Sequence, residues 1–180
     1  MDASTLASLY LINQTKAAAW MPFLNETMDR FAISATRQRT AAFLANVAVE
    51  SGRLTYVKEL WGPTPAQVGY EPPSMKATVL GNTQPGDGRK YMGRGLIQCT
   101  GGANYAICGL ALDLDLVNHP ELLEVPENAA LSAGWYWDNH KLNALADLGA
   151  FETICVRING GHTGWPDRLA MYTSILKVLT

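Results

Sequence analysis

Along residues 36–50, apolar side chains return every three or four positions. Ala41, Leu44, Ala45, Ala48 and Val49 fall on one stripe. That period predicts a helix from about Thr36 to Glu50. Similar reasoning predicts helices elsewhere. Ser4 is placed to cap a first helix running to about Ala19, and Asn25 a short one over Glu26–Ile33. A turn of helix is expected over Glu121–Leu123. Pro126 sits where a first-turn proline belongs, ahead of a helix over Glu127–Asn139 with its acids early, as the helix dipole prefers. Phe151–Ile158 and Pro166–Leu179 complete the set.

Residues 62–95 break this pattern. They carry Pro63, Pro65, Pro72, Pro73 and Pro85, with glycines at 62, 69, 81, 86, 88, 93 and 95. Such a stretch predicts a long ordered loop, with a short helix near Ser74–Leu80. Strand-like runs occur only at Tyr56–Val57 and Leu96–Cys99. The fold class is therefore mainly α, with a minimal β element. There is no repeat, low-complexity tract or linker, and 180 residues suit one domain.

Composition narrows the possible functions. Hydrophobic residues make up 48% and charged residues 17%, which supports a packed core. A net charge of -2 gives no long-range attraction to nucleic acid, so no nucleic-acid partner is expected. Cys99, Cys108 and Cys155 stand apart without metal-type spacing, which predicts reduced thiols and no metal or cofactor. The first residues are interrupted by polar side chains, which fits neither a leader peptide nor a membrane span. The expectation is synthesis in the cytoplasm, no stable membrane insertion and a monomer.

Chemistry enters through two glutamates. Glu50 ends the apolar run of residues 43–49, and Glu59 follows nine residues later. On one straight helix nine residues rise about 13.5 Å, too far for an acid/base pair of the inverting glycosidase kind, roughly 6.5–9.5 Å apart. Gly52 is suited to end the helix with φ > 0 and let Glu59 return. At a helix C-terminus behind an apolar run, both dipole and burial favour a protonated Glu50, as a general acid requires. Glu59, beside Lys58 and loop residues, is the better base. On spacing alone, the alternative is two unrelated surface charges.

A second constellation is "YMGRGLIQCTGGANY", residues 91–105. Gly93 and Gly95 flank Arg94, and Gln98, Thr100 and Asn104 offer neutral amides and hydroxyls. These groups suit a sugar polymer, rich in hydroxyls and poor in charge, with Tyr91 and Tyr105 as candidate ring contacts. The alternative is a glycine-rich turn. Near the C-terminus, "RINGGHTGWPDRLAMY" (157–172) places Asn159 at a helix end and Arg168 one turn into the last helix. Either is a candidate cleft residue, a turn former or a surface charge.

Together "FLANVAVESGRL" (43–54), residues 91–105, "DLDLVNHPELLEVPENAALSAGWYW" (113–137) and residues 157–172 resemble the glycoside hydrolase family 19 lysozymes of bacteriophages, relatives of plant chitinases. The resemblance covers roughly residues 36–179. It implies a lysozyme-like α+β fold, two-lobed around a glycan cleft, and an inverting endolysin that hydrolyses the β-1,4 glycan of peptidoglycan. Its partner would be glycan strands, reached after another factor gives access to the wall, with no separate wall-binding domain. By position Glu50 is the general acid and Glu59 the water-activating carboxylate, with Glu71 and Asp87 as alternatives for the base. Gln98, Thr100, Asn104 and Asn159 line the cleft with Tyr91, and Arg168 matches an arginine of the final helix. T-even-type phage lysozymes offer a parallel spacing, by which Thr64, five residues after Glu59, helps to position the water.

Two departures from the family pattern stand beside Glu50. Val49 replaces a frequent histidine, which implies a drier acid, and Arg53–Leu54 replaces a glycine and an aromatic. Two other functions remain open on the sequence. One is a chitinase acting on GlcNAc polymers, and the other a non-catalytic glycan-binding lysozyme-like protein.

Overall fold

The computed structural model describes residues 1–179. Its elements are α1 (Ala3–Tyr10), α2 (Gln14–Arg30), α3 (Arg37–Glu50), α4 (Pro65–Val68), α5 (Met75–Leu80), α6 (Asp87–Lys90), α7 (Gly102–Leu112), a 3₁₀ helix (Pro120–Glu124), α8 (Pro126–Asn139), α9 (Leu142–Asp147), α10 (Phe151–Asn159) and α11 (Trp165–Val178). The only β pairing among the described residues is antiparallel, Lys58 with Arg94 and Arg94 with Cys99. The mainly helical expectation therefore holds.

Two sequence expectations need correcting at the N-terminus. The expected helix from Ser4 to Ala19 is two helices. Asp2 caps α1 by accepting from the Thr5 amide, and Leu11 ends it in the left-handed region at φ +53°. Asn13 then starts α2, its side chain accepting from the Lys16 amide at 2.8 Å. Asn25 caps nothing: it lies inside α2, which continues past Pro22. The proline leaves one carbonyl without its helical donor. The buried face of Trp20, Met21, Leu24 and Met28 keeps the helix whole.

α3 is the axis of the main core. Every residue from Thr40 to Ala48 is buried. Phe43 meets Trp137 of α8 edge to face at 5.5 Å, and the Tyr10 hydroxyl donates to the Leu44 carbonyl at 2.6 Å. A second core gathers Tyr91, Tyr105, Cys108, Leu116, Leu123 and Trp135. α8 serves both cores, with Ala129, Ala133 and Trp137 in the first and Leu131 and Trp135 in the second. It packs so closely on α2 that a Cβ at Gly134 would lie 2.3 Å from the Phe31 ring. These two cores are the two lobes.

α7 and α9 were not legible by period. α7 begins in the glycine-rich stretch that reads as a loop, and it is held by burial of Tyr105, Cys108 and Leu112. No described helix is long and apolar enough to cross a membrane. No described cluster of three His, Cys, Asp or Glu side chains offers a metal site, and all three cysteines are free.

Candidate active site

Thr36 caps α3 by accepting from the Arg39 amide, and the helix delivers Glu50 at its last residue. The end is tightly made. The Ser51 hydroxyl donates to the Val47 carbonyl at 2.6 Å and accepts from the Leu54 amide at 2.8 Å. Gly52 takes φ +53°, as the reversal towards Glu59 requires. Arg53 and Leu54 follow it into the left-handed region.

Glu50 is not alone. Arg168 of α11 donates from Nη2 to Glu50 Oε1 at 2.5 Å and from Nη1 to Asn46 Oδ1 at 2.7 Å. The guanidinium side chain is 3% exposed and the Glu50 side chain 18%. This corrects the expectation that Arg168 binds substrate: it is buried behind the carboxylate and grips it. Oε1 is committed to Arg168, and Oε2 has no hydrogen-bond partner among the described residues. The charge of Glu50 also reaches Tyr136 of α8: burial first, then this carboxylate, push the tyrosine hydroxyl above its ordinary value. Sequence reasoning missed Tyr136, whose helix reads only as core.

Val49 lines a groove between α1 and α11.

Glu59 is held by main chain. Its amide donates to the Gly93 carbonyl at 2.8 Å, and the Gly93 amide returns a bond to Glu59 Oε2 at 3.0 Å. The Tyr70 hydroxyl donates to Oε1 at 3.4 Å. Gly93 is the meeting point of the site. A Cβ there would lie 2.8 Å from Gln98 Oε1, 3.2 Å from Thr100 Oγ1 and 3.3 Å from Glu59 Oε2. Glu59 and two of the expected polar residues therefore converge where a side chain is excluded.

Gln98 adopts φ +54°, with Nε2 donating to the Gly95 carbonyl and Oε1 left facing Gly93. Thr100 donates to the Gln98 carbonyl, and exposed Asn104 donates to the Thr100 carbonyl at 2.7 Å. Asn159 ends α10 beside Gly160 and Gly161, which have open space around them.

The aromatic assignment is corrected. Tyr91 and Tyr105 are 7% and 0% exposed. Their rings meet at a tilt, centroids 5.3 Å apart, and their hydroxyls donate to the Val117 and Met92 carbonyls. Aromatic surface near Glu59 comes instead from Trp61 and Tyr70, 6.3 Å apart. A lone tryptophan before a Gly-Pro pair was the available signal.

The loop acids have other tasks. Glu71 accepts from the Gly86 and Arg89 amides, and Asp87 from those of Thr83 and Gln84. Thr64 caps α4 in a reciprocal box with Gln67, so its hydroxyl has a structural partner and none in Glu59. Arg94 is buried, ion-paired to Glu124 at 2.8 Å and bonded to the Tyr105 hydroxyl. It pins the β bridges to the second core.

The family model for chitinase class I, glycoside hydrolase family 19, matches residues 16–146. An endochitinase of Arabidopsis thaliana is 35% identical over 147 residues, covering 77% of this chain and 51% of its own length. A glycosyl hydrolase family 19 domain-containing protein of Haemophilus influenzae is 42% identical over 99 residues, covering 53% and 46%. The chain thus spans about half the length of the curated relatives it matches. A crystal structure of a chitinase C variant superposes with a TM-score of 0.75 at 24% identity, over 99% of this chain and 92% of the other, a likeness of fold. With a family match across most of its length, this chain belongs to glycoside hydrolase family 19.

Proposed function

We propose that this domain hydrolyses the β-1,4 glycan of bacterial peptidoglycan as a phage endolysin, with Glu50 as general acid and Glu59 as general base. The observation that carries it is the holding of Glu50. A half-open carboxylate at a helix end is fixed by a buried arginine that is itself fixed by Asn46. Oε1 is anchored, so Oε2 carries the proton to the glycosidic oxygen. Glu59, oriented by the Gly93 amide and Tyr70, takes a proton from water on the opposite face of the sugar. The oxygen of that water joins the anomeric carbon with inversion. Gln98, Thr100, Asn104 and Asn159 offer neutral polar groups to N-acetyl and hydroxyl substituents. The enzyme acts as a monomer on the wall once another factor admits it.

Glu50→Gln keeps the acceptor for Arg168 and removes the transferable proton. It should lower lysis of permeabilised cells by about 10²–10⁴-fold, the usual size of a general-acid contribution, with the helical spectrum unchanged. Near-normal lysis would end the assignment. A chitinase reading is supported by the description of the family model, chitinase class I, and by the names of the plant relatives. Parallel hydrolysis of chitin oligomers and purified peptidoglycan separates the two.

A further inference from the structure

The turn that ends α3 places an arginine where a glycine would sit without strain. Gly52, Arg53 and Leu54 have φ of +53°, +57° and +62°. Glycine enters this region freely, whereas a residue with a Cβ does so against steric resistance. Leu54 has a compensating role, since its side chain is buried in the main core. Arg53 has no such role. It is exposed, and among the described residues no hydrogen bond or ion pair engages its guanidinium. Its amide alone is used, donating to the Ala48 carbonyl at 2.7 Å. A strained position kept for a side chain that nothing in the protein uses points to a partner outside the protein.

Arg53 lines a groove of about 930 Å³ between α1 and α11, within the size range of ligand sites. Val49 and Gly52, on either side of Glu50 in the chain, form part of its lining, together with the hydroxyls of Ser8 and Ser174. Asp167 adds a negative charge without an ion-pair partner among the described residues. The groove therefore offers one free cation, one free anion, hydroxyls and aliphatic surface beside the helix end that carries the acid. Those are features for a short charged peptide, not for a neutral sugar.

We propose that Arg53 is a specificity-determining residue. Its guanidinium takes a carboxylate of the peptide stem that branches from the muramic residue of peptidoglycan, and the groove between α1 and α11 receives the stem. The proposal rests on the peptidoglycan reading above. A guanidinium pairs with a carboxylate through two parallel N–H donors. Each extended peptide residue reaches about 3.3–3.6 Å, so a stem of a few residues spans from a sugar at Glu50 into the groove. A plain GlcNAc polymer has no carboxylate and no branch to place there.

The test uses two substrates from one wall: intact peptidoglycan, and the same glycan strands stripped of stems by an amidase. The quantity read is the ratio of kcat/KM on the intact polymer to that on the stripped one. Arg53→Gly should lower this ratio about tenfold, the size expected for one charge-assisted contact, chiefly through KM on the intact polymer. Arg53→Lys should recover part of it, and Arg53→Glu should lower it further. Glycine suits the left-handed backbone, so the thermal midpoint of Arg53→Gly should not fall, which excludes unfolding as the cause. An unchanged ratio overturns the proposal even if both polymers are cut. A wild-type enzyme that cuts chitin oligosaccharides and neither wall polymer overturns the peptidoglycan reading, and this proposal with it.

Discussion

The two carboxylates of the site are held in different ways. Glu50 is gripped by side chains: a buried guanidinium and, behind it, the buried amide of Asn46. Glu59 is gripped by backbone, the amide and carbonyl of Gly93, with a tyrosine hydroxyl in support. The difference follows from the surroundings. Beside α3 there is a packed core, where a charge is tolerated only if it is paired. In the loop lobe regular structure is sparse, and main-chain groups are free to serve. Glu50 therefore depends on residue identity at a distant helix, and Glu59 on the absence of a side chain at one glycine.

The Glu50 side of that contrast is the easier to break. Arg168→Met removes the guanidinium and leaves Asn46 Oδ1 and Glu50 Oε1 without their donor. Breaking a buried pair costs about 3–5 kcal/mol, and the partial exposure of Glu50 puts this case at the low end. For a chain of this size that is a fall in thermal midpoint of roughly 6–12 °C, measured by circular dichroism. The double variant with Glu50→Gln should lose less than the sum of the two singles. Additive losses would mean that the pair does not act as a unit.

The Glu59 side is broken by adding one methyl group. Gly93 is not among the residues with positive φ, so Gly93→Ala introduces no backbone strain of that kind. It does push at Gln98, Thr100 and Glu59 together. Misplacing a positioned group by about 1 Å can cost on the order of 10²-fold in rate. A loss of ten- to a hundredfold in kcat is expected, with a midpoint shift of only a few degrees. A variant with full activity would show that the convergence on Gly93 is not part of the site.

The helical lobe was largely legible in the sequence. Period and caps locate α3, α8, α10 and α11 within a residue or two, because each buries a continuous stripe. The break between α1 and α2 was hidden, since Leu11 shows no glycine or proline where the chain turns left-handed. At the site, the two glutamates and the polar run after Gly93 were readable as chemistry. Their holders were not. Arg168 lies 118 positions from Glu50, and only tertiary packing of α11 on α3 brings them together. Tyr91 and Tyr105 were misread for the converse reason: residue type says aromatic, and burial decides which face remains available.

A smaller effect tests how the β bridges support Glu59. Lys58 and Arg94, on either side of Glu59 and Gly93, both reach Glu124. Burial pushes the Glu124 carboxyl up, but hydrogen bonds from Arg94 and Lys58 outweigh it and hold it below its ordinary value of 4.5. A carboxyl held low in the folded state adds stability that is full above that ordinary value and is lost as pH falls through the folded one. The group is partly exposed, so its contribution is at most about 1 kcal/mol. Glu124→Gln should therefore destabilise the protein at neutral pH and flatten the fall in stability below about pH 4.5. Parallel curves for the two proteins in acid denaturation would remove Glu124 from the account.

An effect of similar size concerns Thr64, for which the T-even spacing implies a part in orienting water. Its hydroxyl accepts from the Gln67 amide at 3.3 Å, and Gln67 Oε1 accepts from the Thr64 and Gly62 amides. Buried Gln67 also donates to the Leu60 carbonyl, next to Glu59. The cap thus fixes the start of the loop that follows Glu59. Thr64→Ala should cost about 1 kcal/mol, the usual value of a lost N-cap, and Thr64→Ser should restore it. Because the cap acts through Gln67 on Leu60, Gln67→Ala should reproduce the Thr64→Ala change in loop protection, read by hydrogen exchange at residues 60–68. A Thr64→Ala variant that loses turnover a hundredfold with unchanged exchange would return the hydroxyl to the chemistry and break the division drawn here between the residues that react and the backbone that holds them.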